Sequence, residues 1–177
     1  MNIQELFSTE ERARILEHVM YRENLRVIQI SRALNLSKGL VSTFMRTLQA
    51  NGLVRKAGNL YTPTDGFFAR EVRRLINLSK VKLRRIDKEG IEGLGLFGSW
   101  ARGTNTIESD LDVWVKAKEY PKQEYLATLS SQVRKMFGGE VRLIVLTPTK
   151  LEQMKADEVF FSNLLRDSLL LWGEDIA

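Results

Sequence analysis

A chain of 177 residues, 44% hydrophobic and 28% charged, has the composition of folded domains and not of a disordered segment. No apolar run nears the roughly 20 residues of a membrane span, and Met1 to Glu11 lacks a secretory pattern, so a cytoplasmic location without a membrane partner is expected. Cysteine is absent, which removes disulfides, thiolate metal sites and cysteine nucleophiles. The formal charge of +5 hides a split, because residues 1–88 hold 17 Lys and Arg against 8 Asp and Glu while residues 89–177 hold 10 against 14. A basic half followed by an acidic half points to two modules with different partners.

Ser8-Thr9-Glu10-Glu11 offers an N-cap with acidic first-turn residues, and Ile15, Leu16, Val19 and Met20 then recur at helical spacing, so a helix is expected over 9–22. Asn24 breaks it. A second short helix carries Val27, Ile28, Ile30, Ala33 and Leu34 and ends near Asn35. Ser37 caps a third, over 38–51, with Leu40, Val41, Phe44, Met45 and Leu48 inward and Asn51-Gly52 as its stop. Two short alternating runs, Leu53 to Ala57 and Leu60 to Pro63, then flank Gly58-Asn59 as a β-hairpin.

Three helices and a hairpin resemble the winged helix-turn-helix family, carried by Ile30 to Ser42 and by Leu48-Gln49-Ala50-Asn51-Gly52-Leu53-Val54. The resemblance implies that the third helix enters the DNA major groove and the wing touches phosphate. The DNA-binding residues would then be Lys38, Ser42, Thr43 and Arg46 on the helix, with Arg55, Lys56 and Asn59 on the wing. The alternative is a solvated face on a domain used for dimerisation or packing. Beyond it, Thr64 or Asp65 caps a helix expected over 66–88, with Phe67 and Phe68 docking it and eight cations from Arg70 to Lys88 along it. Those cations are either a solvated face or an extension of the phosphate-contacting surface.

Ile91 to Phe97 reads as a buried strand running into Gly98-Ser99-Trp100-Ala101-Arg102-Gly103, and Ser109-Asp110-Leu111-Asp112-Val113-Trp114-Val115 alternates as a second strand. Alternation turns Asp110 and Asp112 to one face, an unfavourable pairing without compensating charge. Divalent cations are the usual compensation in nucleotidyl transfer, and the Gly-Ser turn exposes backbone N–H groups suited to a triphosphate. Gly98-Ser99, Ala101-Arg102-Gly103 and Ser109-Asp110-Leu111-Asp112 together resemble the active-site signature of the polymerase-β-like minimal nucleotidyltransferases, over about residues 90–177. The resemblance implies catalytic, metal-holding Asp110 and Asp112, with Gly98, Ser99, Arg102 and Ser109 binding nucleotide. Arg102 either assists phosphate or braces the loop against a carboxylate. Trp100 either stacks on a base or packs beneath the loop.

Members of that family place a third carboxylate on the following strand, Gly139 to Val145, where this chain has Arg142 and, two residues earlier, Glu140. Glu140, on the same face, could substitute, but its side chain starts about 7 Å away along the strand; Arg142 would instead neutralise Asp110 or Asp112. A helix over 122–137, a strand over 141–146, a last helix with Val159, Phe160, Phe161, Leu164 and Leu165, and a closing element at Leu169 to Gly173 complete the module.

The expected class is α+β: a winged helix domain (1–64), a long basic connecting helix (65–88) and a nucleotidyltransferase-type mixed sheet flanked by helices (89–177). The expected function is Mg²⁺-dependent (or Mn²⁺-dependent) transfer of an NMP from an NTP, ATP, to a hydroxyl acceptor, coupled to DNA binding. The alternative is a DNA-binding regulator or antitoxin whose second domain only binds nucleotide or a partner protein such as a toxin. A homodimer is the further partner considered.

Overall fold

The structure is a computed structural model that describes residues 3–176, and it divides into two compact units, Met1–Arg73 and Arg74–Ala177. In the first, α1 (Ile3–Phe7) precedes α2 (Glu10–Met20), α3 (Val27–Leu34) and α4 (Lys38–Ala50), and the hairpin β1 (Val54–Ala57) and β2 (Leu60–Pro63) follows. Thr9 and Ser37 cap α2 and α4, their hydroxyls accepting from the backbone N–H of Arg12 (3.3 Å) and Leu40 (3.2 Å). Asn24, in the turn that follows α2, and Asn35, the C-cap of α3, take positive φ (56° and 54°), a conformation the short asparagine side chain tolerates. Ile15, Leu16, Val19, Ile30, Val41, Phe44, Met45 and Leu48 form the buried core. Ala33 departs from its expected inward place and is exposed.

Helix α5 spans Phe67–Ser79 and is followed by a short 3₁₀ turn, Leu83–Arg85. The helix expected to run to Lys88 stops earlier, because Val81 and Leu83 turn onto the core of the second unit. Phe67, expected to dock, is 80% exposed. Several of the cations are already engaged: Arg70 pairs with Asp65 at 2.6 Å, and Arg73, buried, donates to the Thr64 carbonyl at 2.6 Å.

The second unit is built on a mixed four-stranded sheet in the order β5-β4-β3-β6, with β3 Gly93–Phe97, β4 Leu111–Lys116, β5 Val141–Leu146 and β6 Leu169–Gly173. β3 pairs antiparallel with both β4 and β6, whereas β4 and β5 run parallel, joined through α7 (Gln123–Phe137). Period-two alternation sorts β4. Leu111, Val113 and Val115 join Leu129, Val133, Phe137 and Trp100 on one face, and Trp114 joins Leu146, Met154 and Leu164 on the other. Helices α8 (Pro148–Lys155) and α9 (Glu158–Asp167) cover that second face. Gly95 lies opposite Trp114, and an added Cβ there would run into the indole, so this large buried ring fixes a glycine on the neighbouring strand. Of the apolar residues expected on the last helix, Leu164 is buried, whereas Val159 is 73% exposed.

Candidate functional site

The signature folds as β3, the one-and-a-half-turn helix α6 (Gly98–Arg102), a loop, and β4. Register places Asp112 opposite Phe97, so the strand that carries the acids lies beside the turn at Gly98. Gly98 has φ +68°, and a Cβ there would collide with Asp112 Oδ2. Only glycine lets the backbone turn this tightly against a carboxylate. Asp110 ends the approach to β4, and the following N–H, of Leu111, donates to the Glu140 carbonyl at 2.8 Å.

Burial is the leading cause that holds the Asp112 carboxyl above the usual carboxylate range; nearby Asp110 pushes the same way, and Arg142 and Arg102 oppose it. Arg142 is the cross-strand neighbour of Asp112, and its Nη2 lies 2.5 Å from Asp110 Oδ2. Glu140, weighed as a substitute third acid, is exposed and bonded to Arg134. Among the described residues no group of three or more acidic, histidine or cysteine side chains gathers to hold a metal. Asp110 and Asp112 are therefore the carboxylates on offer.

Arg102 donates to Asp167 Oδ2 at 3.0 Å, tying the signature loop to the end of α9; the Asp167 carboxyl is held below its usual range by Arg166 first and Arg102 after it. Of the two roles open to Arg102, bracing is the one this conformation displays. Ser109 accepts at its hydroxyl from the Thr106 N–H (2.9 Å), and its carbonyl accepts from the Trp100 indole (3.2 Å). Trp100 is buried, edge-on to Phe137, and lies beneath the loop. The only histidine, His18, lies in the first unit.

Sequence reasoning did not identify what anchors the loop from behind. Asn77 and Asn105, each 1% exposed, are bonded to each other at 2.9 Å, and Asn77 Nδ2 also donates to the Trp100 carbonyl at 2.8 Å. The available signal was a polar residue beside Ile76 in an apolar helical stripe. Asp167, α1 and α8 were also missed, although Thr147-Pro148 is a cap followed by an N1 proline.

On the first unit, Lys38, Thr43 and Arg46 are exposed on α4 and Ser42 is half-buried, while Arg55, Lys56 and Asn59 are exposed on the hairpin. Arg46 Nη2 donates to Thr43 Oγ1 at 3.2 Å, and Lys56 lies over the Tyr61 ring at 5.5 Å. Four of these residues, Lys38, Arg46, Arg55 and Lys56, are exposed cations.

A turn of glycine backbone against a carboxylate pair, on a mixed sheet with helices on both faces, defines a nucleotidyltransferase-type domain. Residues 78–165 match the nucleotidyltransferase domain family, and residues 9–56 match the arsR family of bacterial regulatory proteins. A candidate protein adenylyltransferase of Methanocaldococcus jannaschii is 36% identical over 76 residues, 42% of this chain and 74% of the relative. The chain belongs to the nucleotidyltransferase domain family and carries an arsR-type helix-turn-helix ahead of that domain. Two solved structures are also similar. A toxin-antitoxin with AMP-PNP has a TM-score of 0.38 at 22% identity, covering 58% of this chain and 73% of its own. A tri-AMPylated Shewanella oneidensis HEPN toxin in complex with an MNT antitoxin has a TM-score of 0.36 at 16% identity, covering 59% and 73%. No helix among the described residues is long and apolar enough to cross a membrane.

Proposed function

We propose that the second unit transfers a nucleoside monophosphate from an NTP, ATP, to a hydroxyl of an acceptor, and that the first unit binds DNA. The observation that carries the transfer reading is the backbone of Gly98 seated against Asp112, with Asp110 on the same approach. Gly98 and Ser99 bring backbone N–H groups to the triphosphate, and Asp110 and Asp112 present carboxylate oxygens to a divalent cation. When bound, Mg²⁺ or Mn²⁺ neutralises phosphate charge as it develops in the reaction. Arg102 and Ser109 position the loop for the nucleotide, Arg102 through Asp167 and Ser109 through Thr106. The relative from Methanocaldococcus jannaschii supports a protein as the acceptor. Labelled ATP, Mg²⁺ and the full chain, incubated with protein and nucleic-acid acceptors, test the reading: label should move to an acceptor, and Asp112→Asn should abolish the movement. Tight nucleotide binding with no transfer to any acceptor, the chain itself included, overturns it.

For the first unit, exposed Lys38, Thr43, Arg46, Arg55 and Lys56, with half-buried Ser42, support DNA contact, with phosphate taken by the wing and bases by α4. A second reading is favoured by the ion pair between Arg142 and Asp110. It makes the chain a DNA-binding regulator or antitoxin whose second unit binds nucleotide or a partner protein, such as a toxin, without transfer. Arg142→Asp gaining activity would support it, and wild-type activity lost in Asp110→Asn would sink it. Co-purification identifies a partner toxin, and sedimentation separates that complex from a homodimer.

A further inference from the structure

We infer that Arg142 is a built-in counter-cation of the carboxylate pair, so that the site takes one divalent cation where two-metal transfer sites take two. The inference rests on the transfer reading for what the cation serves, whereas its charge argument concerns only side chains of this chain. Parallel register sets Arg142 opposite Asp112, and its guanidinium meets Asp110 at 2.5 Å, so one cation faces both acids. Arginine keeps its charge at every physiological pH. The other nearby groups are committed elsewhere: Glu140 to Arg134, and Arg102 to Asp167. Two carboxylates and one guanidinium leave a single net negative charge in the cleft.

One divalent cation offsets that charge and leaves an excess positive charge to face the triphosphate. A second would have to sit about 3.5–4 Å from the first, beside the guanidinium and with no further carboxylate to hold it. The Arg142 side chain is 70% exposed, and an ion pair this wet contributes little to folding. Its effect therefore falls on ligands rather than on stability. Exposure also frees the guanidinium to move from Asp110 to a phosphate oxygen, where bidentate hydrogen bonds are favourable, and its charge stays in the cleft in either position.

Mn²⁺ binding, followed by electron paramagnetic resonance on the full chain, tests the inference in two arms. With Mn²⁺ alone, Arg142→Gln should bind about tenfold more tightly than wild type, and Arg142→Lys, which keeps the charge, should stay within about twofold of it. With a saturating non-hydrolysable ATP analogue, wild type should hold one Mn²⁺ per chain and Arg142→Asp two. Two cations in the wild type, or an unchanged affinity and count across the Gln and Asp variants, would overturn the inference. The thermal midpoint of Arg142→Gln, expected to match wild type, separates a charge effect from misfolding. A wild type that binds no nucleotide sinks the transfer reading, and the metal-alone arm still decides the role of Arg142.

Discussion

Gly98→Ala is the most direct perturbation of the proposed site. The new methyl group faces two separate costs. At φ +68° an L side chain pays about 1–2 kcal/mol for the left-handed backbone. The Cβ also lands on Asp112 Oδ2, and the carboxylate must leave its rotamer at about 0.5–1.5 kcal/mol. Together these amount to roughly 2–3 kcal/mol, and a loss of about 2 kcal/mol lowers the midpoint of a domain this size by roughly 8–16 °C. All three tryptophans (Trp100, Trp114 and Trp172) lie in the second unit, so intrinsic fluorescence during heating reports on that unit alone. Only one of the two costs depends on Asp112. In an Asp112→Ala background the same glycine substitution should cost only the backbone part, giving a coupling of about 1 kcal/mol, above the scatter expected for independent sites. Transfer by the single variant should fall about 100-fold, because the carboxylate is displaced on the ångström scale. Equal midpoint losses in both backgrounds would refute the reasoning, because Asp112 would then not be what the glycine accommodates.

Asp112→Asn should lose transfer while raising the thermal midpoint. The folded carboxyl titrates above the ordinary value of 3.8, so its stabilising contribution is present below that value and is lost as pH rises through the raised folded pKa. The gain of the Asn variant over wild type should thus be small near pH 3 and larger near pH 7; a gain independent of pH would count against burial as the cause. Asn77→Ala removes a buried donor from the Trp100 carbonyl and from Asn105, and should cost about 2–3 kcal/mol, read from the same fluorescence melt. Arg46→Ala and Arg55→Ala should each weaken binding to duplex DNA and each lower the slope of log affinity against log salt by about 1; unchanged slopes would place DNA elsewhere or nowhere on this unit.

The elements that read most clearly from sequence were those whose signals were local. Ser37 capping α4, Asn51-Gly52 ending it, and Gly58-Asn59 turning the hairpin each depend on a few adjacent residues. Strand β5 was also bounded correctly, since Val141 to Leu146 is an apolar stretch interrupted only by Arg142, lying between Gly138-Gly139 and Pro148. The glycine and the aspartates were legible as a motif, but their contact was not, because it depends on a register between strands. Partners brought from a distance stayed hidden for the same reason. Asp167 reaches Arg102 from the end of α9, and Asn105 reaches Asn77 across the loop; no periodicity marks either pairing. Arg142 was visible as a charge in an unexpected place, and its choice of Asp110 over Asp112 took coordinates to see. The overlong connecting helix failed because apolar spacing continues past Ser79 while the chain turns to bury Val81 and Leu83 in a sheet assembled from residues farther along.

The order of strands in the second unit carries a consequence for how the site assembles. Asp112 lies on β4 of the antiparallel pair β3 and β4, and the connection between those strands, through α6 and a loop, carries Gly98 and Asp110. Arg142 joins them only after the crossover through α7 has laid β5 alongside β4. Closing the shorter connection costs less chain entropy, so the cradle and its acids are expected to form before the guanidinium joins them, an order that φ-values at Leu96 and Leu143 would test. On a ribosome, where the chain emerges from its N-terminus, residues 98–112 leave before Arg142 does. Docking of β5 brings the guanidinium to the pair of carboxylates and halves the negative charge of the cleft.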